Sequence, residues 1–179
     1  TYAVGYPVTF AVMLVASVLT GTLASKLKDH ARLSARSAFR TQVLFDTDRL
    51  LQKAKSNDDI LSVTCMQLSR LLDRSIVAYT KSENGMSTGR LFAEKKYTYS
   101  ENLLNDAEQK AAEWAFQNGR RTGATTAQFG KSECLYLAIR AGDRVYGVIG
   151  IPMRPEKPDS FENSIVLSVV NECALAMDN

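Results

Sequence analysis

An uninterrupted apolar run near the start of the chain constrains its fold more than any other feature. Residues 8–25 contain no charged residue and no proline. At roughly 1.5 Å per residue, about 18 helical positions can cross most of a hydrocarbon core of about 30 Å. A core helix of a soluble protein would normally carry a polar stripe, and a signal peptide has its positive charges before the apolar run. We therefore predict that residues 1–27 contain a transmembrane span, the last one of a partial membrane domain.

Basic residues follow this span, and only Asp29 opposes them before Asp46. By the positive-inside rule, this asymmetry predicts a protein of the inner, cytoplasmic membrane whose remaining residues lie in the cytoplasm. Because residues 26–55 contain no glycine or proline, we predict that the span continues as one signalling helix over residues 28–55. Its membrane-proximal basic face comprises Lys26, Lys28, Arg32, Arg36 and Arg40.

Two compatible interpretations of this basic face remain open. In the first, the charges set the topology and bind anionic lipid headgroups, at about 1 kcal/mol per residue near the surface. In the second, the face changes its contacts with lipid or with a partner when the span moves, and so helps to set a signalling state. Membrane lipids are partners in both interpretations.

The remaining residues are sufficient for one cytoplasmic domain, which we place at residues 56–179. The net charge of +3 is modest, and five of the basic residues lie beside the span, so the remainder is close to neutral and nucleic acid is not an expected partner. The cysteines Cys65, Cys134 and Cys173 lie far apart in apolar surroundings, which is typical of buried small residues in a reducing compartment. We expect no cofactor and no metal.

Periodicity and turn residues predict alternating helices and strands in this domain. A helix capped by Asn57 is expected first, and the Glu83-Asn84-Gly85 turn separates the first two strands. The predicted strands cover residues 75–80, 88–94, 133–140 and 144–152. An aperiodic loop covers residues 120–130, and Pro155 and Pro158 mark the exit from the last strand. This order predicts an α+β fold in which helices flank an antiparallel sheet.

The middle and last helices carry the clearest packing signals. Asn105 and Glu108 resemble a capping box, and Gly119 ends the middle helix. Its predicted buried stripe comprises Ala107, Ala111, Trp114 and Ala115. Asp159 and Glu162 can start the last helix, whose apolar band is wider than one packing surface requires. That band comprises Ile165, Val166, Val169, Val170, Cys173, Ala174 and Met177. The surplus predicts a homodimer, as does a short seam formed by Leu44, Thr47, Leu51 and Ala54.

Three stretches of the chain resemble the KdpD family of bacterial potassium-responsive sensor histidine kinases. They are TFAVMLVASVLTGTLASKLKDHAR, WAFQNGRRTGATT at residues 114–126, and LYLAIRAGDRVYGVIGI. The resemblance implies a GAF-type domain between the membrane part and the kinase core of a two-component system that controls potassium uptake. The kinase core would follow in the same longer chain, and this segment would not itself phosphorylate anything. Residues 126–130 depart from the family's loop.

The residues offer little for catalysis, because His30 is the only histidine and lies beside the span. We therefore expect a non-catalytic segment for signal transmission. The alternative is a small-molecule-binding GAF sensor, and a third possibility is a structural spacer. By analogy with other GAF domains, a ligand pocket would be lined by Tyr79, Trp114, Arg120, Arg121, Thr125 and Phe129. The competing interpretation is that Trp114 is a core residue and that the arginines are solvated at a helix C-terminus.

Overall fold

The computed structural model of this protein describes residues 5–83, 85–93, 101–153 and 160–179. Its backbone divides into two compact units, Thr1–Val43 and Leu44–Asn179. Several predicted features lie outside the described residues: the turn residue Asn84, the strand end at Glu94, and the residues Pro155, Pro158 and Asp159.

Helix α1 spans Gly5–Leu51, so the predicted continuous helix is present, although it ends at Leu51 rather than at Lys55. Hydroxyl groups within the apolar run donate to the preceding turn, as Thr20 Oγ1 does to the Ala16 carbonyl at 2.7 Å. This bonding lets polar residues occupy an apolar helix without leaving a donor unpaired. Among the described residues, α1 is the one helix whose length and composition would allow it to cross a membrane.

The second unit begins with the last two turns of α1, where Thr47 and Leu51 are buried. Two of the four residues of the predicted seam are therefore buried within this chain. Their burial does not by itself require a second copy. Helix α2 spans Asn57–Leu72. Its N-cap is Ser56 and not Asn57 as predicted, because the Ser56 hydroxyl accepts a hydrogen bond from the Asp59 backbone N–H at 3.1 Å.

The sheet is antiparallel, with strand order β2-β1-β6-β5-β4, and β3 pairs separately with β1. The strands are β1 Ile76–Ser82, β2 Gly85–Met86, β3 Arg90–Phe92, β4 Thr122–Gly123, β5 Cys134–Ala141 and β6 Arg144–Pro152. The β5–β6 hairpin forms as predicted and closes at the Ala141–Arg144 pair, with Gly142 at φ +57°. Part of the predicted loop is instead β4, which pairs with β5.

Three further helical segments complete the unit. A short 3-10 helix, Glu101–Leu104, precedes α3, which spans Asp106–Asn118 and ends at Gly119 in the left-handed conformation. Helix α4 spans Ser160–Asp178. Side chains of successive strand residues point to opposite faces of the sheet. One face packs against α3, and the other packs against α2 and α4. The α+β class and the antiparallel sheet with flanking helices are thus confirmed.

The apolar band of α4 is buried within its own unit. All seven predicted members are buried in this single chain, and α4 packs against α2 and β5. The band therefore leaves no surplus of apolar surface for a second copy, and the homodimer stays a prediction. The large apolar side chains that α4 leaves exposed are Leu167 and Leu175, which lie outside the predicted band.

Polar contacts hold α4 near both of its ends. Near the N-terminus, Glu162 forms an ion pair at 3.1 Å with Arg74, which lies between α2 and β1 and also donates to the Pro152 carbonyl of β6 at 3.4 Å. At the C-terminus, Asp178 accepts a hydrogen bond from the Tyr146 hydroxyl of β6 and lies 3.9 Å from Arg144. Only the second of these contacts is made directly with a strand.

Candidate functional site

The six residues predicted to line a ligand pocket do not share one cavity. Tyr79 is buried between the sheet and α3, while Trp114 on α3 is half-buried and so is not the fully buried core residue of the competing interpretation. Arg120 and Arg121 are exposed beyond α3. Arg121 and Thr125 line a cleft on the α2–α4 face, whereas Phe129 lines a separate, open depression beside the start of α3. Ligand binding by the six remains a prediction.

A buried carboxylate organises the α3 face of the sheet. Glu108, in the first turn of α3, is only 3% exposed. One of its carboxylate oxygens accepts a hydrogen bond from the Glu133 backbone N–H at 2.8 Å. The other accepts from the Tyr136 hydroxyl at 2.7 Å and from the Cys134 N–H at 3.4 Å. Glu108 therefore ties α3 to the start of β5 with three donors, which offset the cost of removing the carboxylate from water.

Sequence reasoning missed the burial of Glu108, although half of the predicted capping box is present. The Asn105 side chain accepts from the Glu108 backbone N–H at 2.9 Å, as expected, but the Glu108 carboxylate turns to the sheet. The predicted buried stripe was accordingly displaced, because Ala107 is exposed and Trp114 is only half-buried. The observed stripe comprises Glu108, Ala111, Ala112 and Ala115. This 3-1-3 spacing is a regular helical face and was the available signal.

Two tyrosine rings fill the space between the sheet and α3. Tyr79 and Tyr136 meet edge to face with ring centroids 6.2 Å apart. A Cβ atom on Gly150 would lie 2.5 Å from the Tyr136 ring, and one on Gly89 would lie 2.8 Å from the Tyr79 ring. These glycines give the rings room against the backbone. Side chains of the protein therefore occupy the layer in which a ligand was expected.

The tyrosines and the nearby thiol are held in their neutral forms. Burial raises the pKa of Tyr79 to about 12. Burial, reinforced by the negative charge of Glu108, raises the pKa of Cys134 to about 12. Burial also raises the pKa of Tyr136 far above its usual value, and the neighbouring Cys134 and the hydrogen bond to Glu108 add to this effect. The Tyr79 hydroxyl has no hydrogen-bond partner among the described residues.

The turn between β4 and β5 is stabilised by its own hydroxyl groups. The Thr126 hydroxyl oxygen lies 2.7 Å from both the Gly123 and the Gln128 carbonyl and can donate to one of them at a time, and the Thr122 hydroxyl contacts the Gln128 carbonyl at 3.0 Å. Thr125 and Phe129 have positive φ values of 66° and 56°. Such a conformation costs energy in residues other than glycine, so the hydroxyl contacts keep this turn in shape.

A small cleft lies on the opposite face of the sheet, where β5 and β6 meet α2 and α4. Its volume is about 50 Å³, whereas pockets for drug-sized ligands typically measure about 300–1,000 Å³. Leu135, Ile151 and Val166 form part of its apolar lining, and Arg74 and Glu162 contribute charges. Arg74 and Glu162 were absent from the predicted site, because one follows α2 and the other begins α4, so only the fold brings them together.

Known proteins are similar to this chain in sequence and in fold. No protein-family model matches the chain. The chain is 30% identical over 183 residues to the sensor protein KdpD of Clostridium acetobutylicum, covering 99% of this chain and 20% of that protein. It is 23% identical to the sensor protein KdpD of Escherichia coli, covering 82% of this chain and 15% of that protein. The chain thus spans at most one fifth of these curated relatives.

A solved structure agrees with the sequence relatives. The native GAF domain of the potassium sensor histidine kinase KdpD from Escherichia coli superposes with a TM-score of 0.58 at 17% identity, covering 77% of this chain and 92% of that domain. The second unit of the chain therefore has a GAF-like fold. Together with the sequence relatives, this shows that the chain is a KdpD-like segment in which a long apolar helix precedes the GAF domain.

Proposed function

We propose that this chain is a non-catalytic sensory and signal-transmission segment of a membrane-bound, KdpD-like two-component histidine kinase that acts in potassium homeostasis. In this proposal, α1 crosses the cytoplasmic membrane and the GAF domain lies in the cytoplasm. The observation that carries the proposal is the continuity of α1, which extends without a break from the apolar run to the buried residues Thr47 and Leu51. Similarity to KdpD over 99% of the chain supplies the class of parent protein.

The proposed mechanism is a choice between two packings. A helix is stiff along its axis, so a shift or rotation of the apolar part of α1 would reach its last two turns. Those turns are packed within the GAF unit, in which Arg74 contacts Glu162 near the start of α4 and Tyr146 of β6 contacts Asp178 at its end. A change in the stimulus would then bias α4 between two arrangements of similar free energy.

The absence of catalysis is part of the proposal and has chemical support. The three cysteines are buried, and burial raises the pKa of each thiol, so they stay protonated and poorly nucleophilic at neutral pH. Within the described ranges, no group of three or more histidine, cysteine, aspartate or glutamate residues could hold a metal ion.

The proposed partners are membrane lipids, a second copy of the chain and a kinase core in the same longer protein. All five residues of the basic face are exposed on α1, which suits contact with anionic headgroups. On α4, Leu167 and Leu175 are each 48% exposed and lie eight positions apart on one helical face. This exposed pair supports a helix-to-helix contact between two copies, in place of the buried band.

Changing the phase of α1 tests the proposal. In a kinase that carries this segment, insertion of one or two alanines after Arg40 should lock or abolish the potassium response, because each residue rotates the helix by about 100°. Insertion of seven alanines restores the phase to within about 20° and should restore switching. The measurement is potassium-dependent autophosphorylation in membrane vesicles. A response that declines smoothly with insert length, without recovery at seven residues, would contradict rotation or register as the signal.

Charge reversal tests the role of the basic face. Replacing Arg32, Arg36 and Arg40 by glutamate should weaken contact with anionic bilayers by about 1 kcal/mol per residue and shift the potassium response. Vesicles with and without anionic lipid provide the comparison, and the same three residues changed to lysine provide the matched control. If the glutamate variant switches like the lysine variant, the face serves topology alone.

A second candidate function is a small-molecule sensor. The cleft on the α2–α4 face favours it, because Arg121 and Thr125, two of the predicted pocket residues, meet there. A sensor predicts that a ligand bound in this cleft changes the kinase output, whereas pure signal transmission predicts that the output is the same with and without it. Autophosphorylation of the parent kinase in membrane vesicles, measured with and without such a ligand, distinguishes the candidates.

A further inference from the structure

The cleft on the α2–α4 face has two chemically different halves. Leu135, Ile151 and Val166 line its apolar half, while Arg74, Arg121 and Asn163 contribute donors on the polar side. It lies on the opposite side of the sheet from Tyr79 and Tyr136. A ligand that fits both halves needs a short apolar body and a compact group that accepts hydrogen bonds.

Arg74 has a buried hydrogen-bond donor that could bind a ligand in the cleft. Its side chain is 13% exposed, and two of its nitrogens contact Glu162 at 3.1 Å and the Pro152 carbonyl at 3.4 Å. Its Nε atom is buried and has no acceptor among the described residues. A buried donor without a partner is costly, and such atoms are usually satisfied by another group, such as water or a ligand.

The charge and the size of the cleft restrict which ligands it can bind. Two arginines and one glutamate line the cleft, so these three groups leave a single positive charge to be balanced. The volume of about 50 Å³ is far below the roughly 300–1,000 Å³ of pockets for drug-sized ligands, so the cleft suits a ligand of only a few non-hydrogen atoms. A carboxylate matches the planar guanidinium in geometry. The Glu162 carboxylate would repel a dianion more strongly than a monoanion. A nucleotide or other large ligand is too big for this space.

We propose that the cleft between β5, β6 and the start of α4 binds a small monocarboxylate, with its oxygens toward Arg74 and Arg121 and its short alkyl chain on the apolar side. The site joins the residue after the α2 C-cap to the first turn of α4. Occupancy therefore stabilises the contact between these two helices. This binding is a property of the GAF unit and does not depend on the proposed kinase function.

Titration calorimetry of the full chain in neutral detergent tests the site, with acetate, propionate, butyrate, hexanoate and phosphate as probes at matched ionic strength. We expect saturable binding that is tightest for acetate or propionate and weaker for butyrate and hexanoate. Arg121→Glu should weaken it by about tenfold or more, because a charge-assisted contact is replaced by repulsion. Asn163→Asp should weaken it in the same direction.

Arg120→Glu is the matched control, because Arg120 is adjacent and exposed, carries the same charge and does not line the cleft. It should leave binding unchanged, and melting temperatures confirm that each variant is folded. Absence of saturable heat, tighter binding of phosphate than of carboxylates, or equal losses in Arg120→Glu and Arg121→Glu would each overturn the proposal. Binding that survives both Arg121→Glu and Asn163→Asp would also overturn it, since the ligand would then lie elsewhere.

Discussion

Replacement of Glu108 by alanine is expected to lower the free energy of unfolding by about 3–5 kcal/mol. The substitution removes the acceptor of the Glu133 and Cys134 backbone N–H groups and of the Tyr136 hydroxyl. Cys134 and Tyr136 are fully buried, so water cannot replace the lost contacts without opening the core. Glu108→Gln should be milder, because one amide oxygen still accepts a hydrogen bond while the NH₂ group faces a donor.

Urea unfolding of the full chain in detergent, followed by the fluorescence of the single tryptophan, measures this effect. Trp114 lies on α3, the helix that carries Glu108, so the signal reports on the relevant layer. Glu113→Ala is the matched control, because this half-buried glutamate lies on the same helix, whereas Glu108 is the acceptor of the Glu133, Cys134 and Tyr136 donors. Equal losses for the two variants would show that helix propensity, and not the buried carboxylate, is responsible.

The second large effect is a loss of stability at alkaline pH. In the unfolded chain, Cys134 and Tyr79 should lose their protons near their usual pKa values of 9.0 and 10.0, whereas in the folded protein both values are raised to about 12. Between these limits the folded state binds more protons, so stability falls as pH rises. Each group contributes about 2–4 kcal/mol that is fully present below pH 9 and is lost as pH approaches 12.

Urea unfolding at several pH values between 7 and 12 checks this decline. The two groups lie in one cluster with Tyr136, so their contributions are coupled and the combined loss need not be their sum. Tyr79→Phe removes one titrating group together with a hydroxyl that has no partner among the described residues. The variant should match or exceed the parent in stability at pH 7 and should lose less between pH 10 and 12. A parallel decline in both proteins would exclude Tyr79 as a contributor.

Local patterns predicted the elements whose signals lie within one segment. The lack of glycine and proline after residue 25 indicated the continuation of α1, and a run of apolar residues indicated the β5–β6 hairpin covered on both faces. Each of these signals depends on residues close together in the chain. The buried band of α4 was also identified correctly, but what covers it depends on α2 and β5 and could not be seen in the band itself.

The candidate site was harder to predict because distant residues build it. Glu108 meets Tyr136, 28 positions away, and Arg74 meets Glu162, 88 positions away. Glu108 also fits a local capping-box pattern. That pattern explains a glutamate at this position without burial, so there was no reason in the sequence to place its carboxylate in the core. Tyr79 was predicted to line a ligand pocket, and that role stays a prediction, because a single sequence does not show that its ring packs against Tyr136 beneath α3.

The double attachment of α4 has a consequence for how this unit comes apart. Contacts at Glu162 and Asp178 hold the helix near its two termini, and one apolar surface covers the turns between them. Fraying from either terminus must therefore break a polar contact before it exposes the buried apolar residues of α4. The final helix and the hairpin beneath it should melt as one cooperative block rather than peel away turn by turn.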